Sequence, residues 1–417
     1  MDASSHIAVN EASIRYDGWR IVAVCFLVAT FGWAFGFYGQ SVYLAELHRQ
    51  HGWPASLISG ATTFFYLFGA LIVVFVAEAI RKFGPRACLV AGTFAMALAA
   101  VAIGAVREPW QLYLANAMLA FGWAGTSLAI ISSTLSLWFD KKRGMAISLA
   151  LNGASFGGIA GVPLLVIAIG QLGFSRAMML AAALMIVLVI PVVLIFVGRP
   201  PLHVGDAAAA AAAARDMPSA AQIRKRALRD VAFLSVTTAF ALVLFAQVGF
   251  IVHLISFLDP VIGRGSAAVA VALLTAMAVV GRVLFSTVID RLNQRLASAL
   301  SFVSQALALM VVINSQSDAL LIGACAVFGF SVGNLITLPS LIVQREFDAR
   351  SFGVLISLLT AIVQVSYAFG PGVIGVLRDL SGSYTLPFYG CIALELTAAL
   401  LIMLHGRAAN PRDRAAL

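Results

Sequence analysis

The chain has 417 residues, 61% of them hydrophobic and only 11% charged, with a mean hydropathy of +0.98. Soluble globular domains carry about 25% charged residues, so this composition excludes a soluble enzyme or binding module. It implies a chain that crosses a bilayer many times.

After a polar tail (1–18), apolar runs long enough for a hydrocarbon core of about 30 Å recur to the end. They predict spans at 19–44, 55–80, 87–106, 110–137, 144–172 and 175–197, then at 232–258, 267–289, 297–313, 319–343, 352–377 and 386–404. The run from Trp19 is too long for the apolar core of a cleavable leader and reads as the first span. Between the sixth and seventh spans lies "GRPPLHVGDAAAAAAAARDMPSAAQIRKRALRD". Its prolines end a helix, its alanine run is of low complexity, and its basic end suits the inner membrane surface. The expected organisation is a tail (1–18), an N-terminal six-helix bundle (19–198), a linker (199–230), a C-terminal six-helix bundle (231–405) and a second tail (406–417).

The net charge of +9 is unevenly placed. With the N-terminus inside, inner segments hold 21 of the 27 Lys and Arg residues and outer segments five; Arg282 alone falls within a span. Cationic loops stay in the cytoplasm, so both termini are expected there, in a plasma membrane of the bacterial inner-membrane kind. The basic excess is thus a topology signal, and no nucleic-acid partner is expected. Cys25, Cys88, Cys325 and Cys391 all lie in apolar runs without ligand spacing. Neither a disulfide framework nor a metal site is indicated, and no cofactor is expected.

The halves repeat. "RKFGPR" (81–86) matches "DRLNQR" (290–295) at an offset of 209, and "FDKKRGMAISL" (139–149) echoes "FDARSFGVLISL" (347–358) at 208. A parallel six-plus-six repeat predicts two bundles with a site between them near the midplane. The fold class is all-α, with twelve transmembrane helices.

"VVGRVLFSTVIDRL" (279–292) sets Arg282 inside the eighth span. A cation at mid-bilayer costs about 2.5–3.5 kcal/mol on insertion scales, so something must compensate it. It lies roughly 10 Å above Asp290 at the inner end, too deep for easy snorkelling. A guanidinium is a planar fork of donors that matches a carboxylate bidentately at any working pH. The alternative is a structural arginine bonded to helix carbonyls.

Four stretches resemble one known family. "YDGWRIVAVCFL" (16–27), "HGWPASLIS" (51–59), "LWFDKKRGMAISLALNGASFGG" (137–158) and "GPGVIGVLRDLSGSY" (370–384), with Arg282 in the eighth span, are similar to the major facilitator superfamily. More narrowly they resemble its monocarboxylate transporter branch and the bacterial oxalate:formate antiporter-like relatives. The resemblance implies that Arg282 binds a substrate carboxylate. It also exposes departures. Ala278 stands where proton-coupled members carry an aspartate, Gln40 where many carry a lysine, and the eleventh span has no second cation. One cation in the cavity favours a singly charged solute over a dianion.

The other candidates follow from their types and spans. Gln40, Tyr43, Tyr66, Asn334, Gln364 and Tyr367 are expected to join Arg282 in lining the path, because polar side chains facing lipid are expensive. His253 and Glu395 are the candidate proton carriers; the alternatives are an interfacial histidine and a neutral acid bonded within the helices. Glu78, Arg81, Arg86, Asp290 and Arg291 are assigned to the loops that clamp the inward side. The glycines of "NGASFGGIAG" (152–161) and "AFGPGVIG" (368–375) suit close helix packing, and Pro371 permits a bend.

The function expected is alternating-access transport of a small organic anion, with a monocarboxylate favoured and with proton symport or anion exchange as coupling. The expected partners are that anion, protons and the lipid bilayer, with a monomer as the functional unit. A proton-driven efflux carrier for lipophilic or cationic compounds is the alternative. An enzyme is not expected: no nucleophile, base and orienting group cluster in sequence, and no phosphate loop is present.

Overall fold

The computed structural model describes residues 11, 13, 16–139, 142–198, 220–288, 292–335, 337–348 and 351–404. Helices make up the fold, and no strand occurs among the described residues. The first span is a single 34-residue rod, Gly18–His51, seven residues longer at its polar end than its apolar run predicts. It stops where Gly52 turns left-handed (φ 66°) and returns its N–H to the His48 carbonyl at 2.8 Å, a glycine-dependent helix end.

The second span, Ala55–Val73, breaks at Val74–Phe75, so the predicted 55–80 is not one helix. Helix resumes over Val76–Ala105 and is broken again at Gly84 (φ 79°) before Pro85, which separates the inner connection from the third span. The fourth is Pro109–Ser136, hinged at Ser127, the fifth Arg143–Leu172 and the sixth Phe174–Phe196. A short helix, Ala220–Ala227, precedes the second half. Spans seven and eight form one helical run, Val231–Val288, divided only by Gly263 (φ 78°, ψ 158°) into 231–262 and 264–288. Pro260 and Gly263 make this sharp corner where a longer loop was expected. The ninth span is Gln294–Asn314, the tenth Asp318–Leu335 continued by Leu338–Glu346, the eleventh Phe352–Ser381 and the twelfth Thr385–Ile402. With the corner at Gly263, twelve crossing segments lie among the described residues.

Close packing rests on small residues. A Cβ on Gly333 would stand 1.8 Å from the Ala278 carbonyl oxygen, and one on Gly281 2.1 Å from that of Phe330, so the eighth and tenth spans touch backbone to backbone. In lipid, where apolar side chains gain little by leaving one membrane environment for another, such contacts drive helix association. The first and fifth spans do the same through widened turns. Ala34–Tyr38 and Gly157–Gly161 are both π-helical and pack together, and a Cβ on Gly157 would lie 2.4 Å from the Thr30 carbonyl.

Candidate functional site

The widened turn of the first span ends at Tyr38, at the contact between the two halves. A π turn shifts every following side chain around the helix axis and is common at functional sites. Here its loosened carbonyl at Phe35 accepts the Tyr43 hydroxyl at 3.2 Å. Tyr43 therefore supports the turn and has its hydroxyl engaged within its own helix.

Tyr38 lies beside Thr275 of the eighth span, whose hydroxyl donates to the Val271 carbonyl at 2.8 Å. Gly158 of the fifth span closes over both: a Cβ there would meet the Thr275 side chain at 2.6 Å and the Tyr38 ring at 2.9 Å. Arg282, two turns further along the eighth span, lies within electrostatic reach of Tyr38. Its guanidinium is half-buried and donates through Nε to the Gly333 carbonyl at a long 3.4 Å. No carboxylate pairs with it among the described residues.

Tyr66 and Tyr367 complete the cluster. Their rings meet edge to face with centroids 5.7 Å apart, across the seam between second and eleventh spans. The Tyr66 hydroxyl is buried without a hydrogen-bond partner among the described residues. Tyr367 packs against two apolar clusters, one that runs through both halves and one confined to the second half. The centre thus offers one cation with spare donors, several hydroxyls and aromatic walls, including Phe37 against Tyr66 at 6.3 Å.

The remaining expected lining residues fall around it. Gln40 is buried and accepts from Thr62 at 2.9 Å, and its amide nitrogen has no hydrogen-bond partner among the described residues. Asn334, beside Gly333, donates to its own helix at Phe330 while its carbonyl oxygen is unpaired. Gln364 is half-buried on the eleventh span, one turn before Tyr367. Ala278 is buried against Gly333 in the backbone seam, so the place held by an aspartate in proton-coupled members is a packing position here.

His253 has both ring nitrogens engaged: Nε2 donates to the Pro371 carbonyl at 3.0 Å, and Nδ1 accepts from the Tyr384 hydroxyl at 3.1 Å. It ties the seventh span to Pro371 of the eleventh and to the start of the twelfth. Glu395 is fully buried, with neither carboxylate oxygen hydrogen-bonded among the described residues; it lies on the twelfth span, apart from the tyrosine cluster.

The end bearing the loop after the first span closes the halves together. Asp379 accepts the backbone N–H groups of Ser56 at 2.7 Å and Ala55 at 3.2 Å, capping the second span from the opposite half. Arg264 pairs with Glu46 at 2.6 Å, and Gly372 donates its N–H to Thr63 at 3.1 Å. Sequence reasoning named none of these.

The opposite end carries the expected clamp residues. Glu78, Arg81 and Arg86 are exposed, and no ion pair joins them among the described residues. Asp290 and Arg291 lie outside the described residues. The strong network there centres on Arg295, the repeat partner of Arg86. Arg295 is 1% exposed and grips Glu346 bidentately, both bonds 2.7 Å, with further bonds to Ser235 and to the Ile402, Leu404 and Ala232 carbonyls. The 208 offset puts Trp138 where Glu346 stands, so the first half lacks the acid that would hold Arg86. Tyr38, Thr275 and Arg295 were likewise not among the expected site residues. The offset alone could have found the last.

Comparison with known proteins places this geometry. A profile described as Major Facilitator Superfamily matches residues 23–371. The chain is 26% identical to the MFS-type transporter pynF of Aspergillus niger, over 99% of this chain and 93% of that one. It is 24% identical to the aspyridones efflux protein apdF of Emericella nidulans (91% and 74% covered) and 24% to monocarboxylate transporter 13 of Bos taurus (78% and 75%). Its fold is similar to that of a bacterial homologue of the human lysosomal transporter Spinster, solved inward-facing and occupied, with a TM-score of 0.72 and 16% identity over 95% of this chain and 98% of that one. The chain belongs to the Major Facilitator Superfamily, and it is a membrane transporter rather than an enzyme.

Proposed function

We propose that this transporter carries a small organic anion, a monocarboxylate above all, by alternating access between the two halves. The observation that carries the reading is Arg282: a half-buried guanidinium at the seam, without a carboxylate partner among the described residues, beside Tyr38 of the other half. A single carboxylate would use the unspent fork of Arg282, with the Tyr66 hydroxyl and the Gln40 amide as further donors. Release would let the halves rock about this point, opening at one end as the Asp379 and Glu46 contacts close the other. The basic distribution supports an orientation in which that closed end is the outer one and both termini are cytoplasmic.

Coupling by proton symport or by exchange fits the same geometry. Neither Ala278 nor His253 offers a free protonatable group at the centre, which favours exchange of one anion for another. The test is counterflow in proteoliposomes. Vesicles loaded with unlabelled monocarboxylate should accumulate labelled carboxylate while empty vesicles should not, and net uptake into empty vesicles driven by an inward proton gradient would favour symport.

A second reading, efflux of a larger amphipathic compound, is favoured by the aromatic walls at Phe37, Tyr66 and Tyr367 and by the likeness to the aspyridones efflux protein. Under it, such compounds would bind equally well to the Arg282→Ala variant.

A further inference from the structure

The short helix Ala220–Ala227 is two-faced. Ile223 and Ala227 are buried in the apolar core of the second half, and the helix packs against the eleventh span. Arg224, Lys225 and Arg226 stand exposed on its other side, followed by exposed Arg229. None of the four is ion-paired among the described residues. The nearest acid in sequence, Asp230, has a carboxylate oxygen engaged as the cap of the seventh span, accepting from Ala232 at 2.7 Å and Phe233 at 3.2 Å.

Depth is set by the apolar residues that interleave with these cations. Leu228 (48% exposed) follows the short helix, and Val231 (56%) and Leu234 (37%) share a face of the first turn of the seventh span, so open apolar side chains flank the cations. A surface that is apolar on the span and cationic immediately beyond it matches the boundary between acyl chains and headgroups. Zwitterionic lipid would leave four cations uncompensated there. Anionic phospholipid would not, and it is enriched in the leaflet that faces the basic loops.

We propose that the Arg224–Arg229 segment is a docking surface for anionic phospholipid headgroups of the cytoplasmic leaflet. Binding there would hold the short helix against the eleventh span, which carries Tyr367 and Asp379. It would also sit beside the start of the seventh span, where Ala232 and Ser235 engage Arg295.

The test titrates phosphatidylglycerol into the purified full chain in phosphatidylcholine–detergent micelles and follows the thermal midpoint. The wild type is compared with a variant combining Arg224→Gln, Lys225→Gln, Arg226→Gln and Arg229→Gln, which keeps Ile223, Ala227 and Asp230. At about fivefold per basic side chain, the wild type should reach half its maximal stabilisation at a phosphatidylglycerol fraction at least about tenfold below that of the variant. Should the fourfold variant fail to fold, Lys225→Gln with Arg226→Gln is expected to show an intermediate shift. Equal responses of wild type and folded variant would overturn the proposal. So would inorganic phosphate reproducing the effect, since that would make the site one for a free anion.

Discussion

Asp379 near the end of the eleventh span caps the second span at Ser56, 2.7 Å away and in the other half of the molecule. The second span begins after Pro54 without a side-chain cap of its own, so a residue of the opposite bundle supplies what a neighbouring Ser or Asp would supply in most helices. This makes the stability of one helix depend on whether the two halves are closed at this end. Asp379→Ala should weaken the closed state by about 1–2 kcal/mol. A cysteine introduced as Ser59→Cys, beneath this contact, should then react faster with an impermeant maleimide. Unchanged labelling would mean that the contact does not hold the gate.

The Arg86 and Arg295 pair makes a contrasting prediction from one repeat. Arg295→Ala removes a buried bidentate partner of Glu346 and should cost about 3 kcal/mol, read as a fall in the thermal midpoint. Arg86→Ala, on an exposed side chain, should stay within about 0.5 kcal/mol of wild type. Equal effects would contradict the asymmetry.

Gly333→Ala tests the backbone seam that also explains Ala278. With a Cβ only 1.8 Å from the Ala278 carbonyl, the eighth and tenth spans must separate, and Arg282 moves with the eighth. The variant should lose about 1–3 kcal/mol of stability and weaken anion binding together. Ala278→Asp should be destabilised as well and should not introduce proton coupling, because the position is a contact and not part of a cavity.

His253 is held between the Pro371 carbonyl and the Tyr384 hydroxyl, which assigns it a bracing role between the seventh, eleventh and twelfth spans. His253→Gln should lower the thermal midpoint while leaving the shape of the transport–pH profile unchanged. A lost acidic limb in that profile would instead make the histidine a proton carrier.

The twelve spans and Arg282 were legible because hydropathy is a local property and a lone charge stands out against it. The corner at Gly263 and the break at Val74–Phe75 were not, since a few residues of turn leave the average hydropathy unaltered. Tyr38 was visible only as one polar group among many. What selects it is the π turn at Ala34–Tyr38, and that depends on packing against Gly157–Gly161 more than a hundred residues away. Asp379 meets Ser56 across 323 residues, a relationship with no local sequence signature. Tyr43 shows the converse: a polar side chain in the right span whose hydroxyl the helix itself consumes.

The central claim is that Arg282 anchors a carboxylate, and ligand-dependent thermal stabilisation tests it most directly. Purified wild type, Arg282→Lys and Arg282→Ala would be melted against a panel of mono- and dicarboxylates. A ligand at 100 times its dissociation constant adds about 2.7 kcal/mol to the folded state, well within reach of a melting assay. The account predicts that a monocarboxylate stabilises the wild type, stabilises Arg282→Lys weakly because the bidentate fork is lost, and leaves Arg282→Ala unmoved. Equal stabilisation of wild type and Arg282→Ala would contradict it and make the arginine a structural bond between the eighth and tenth spans.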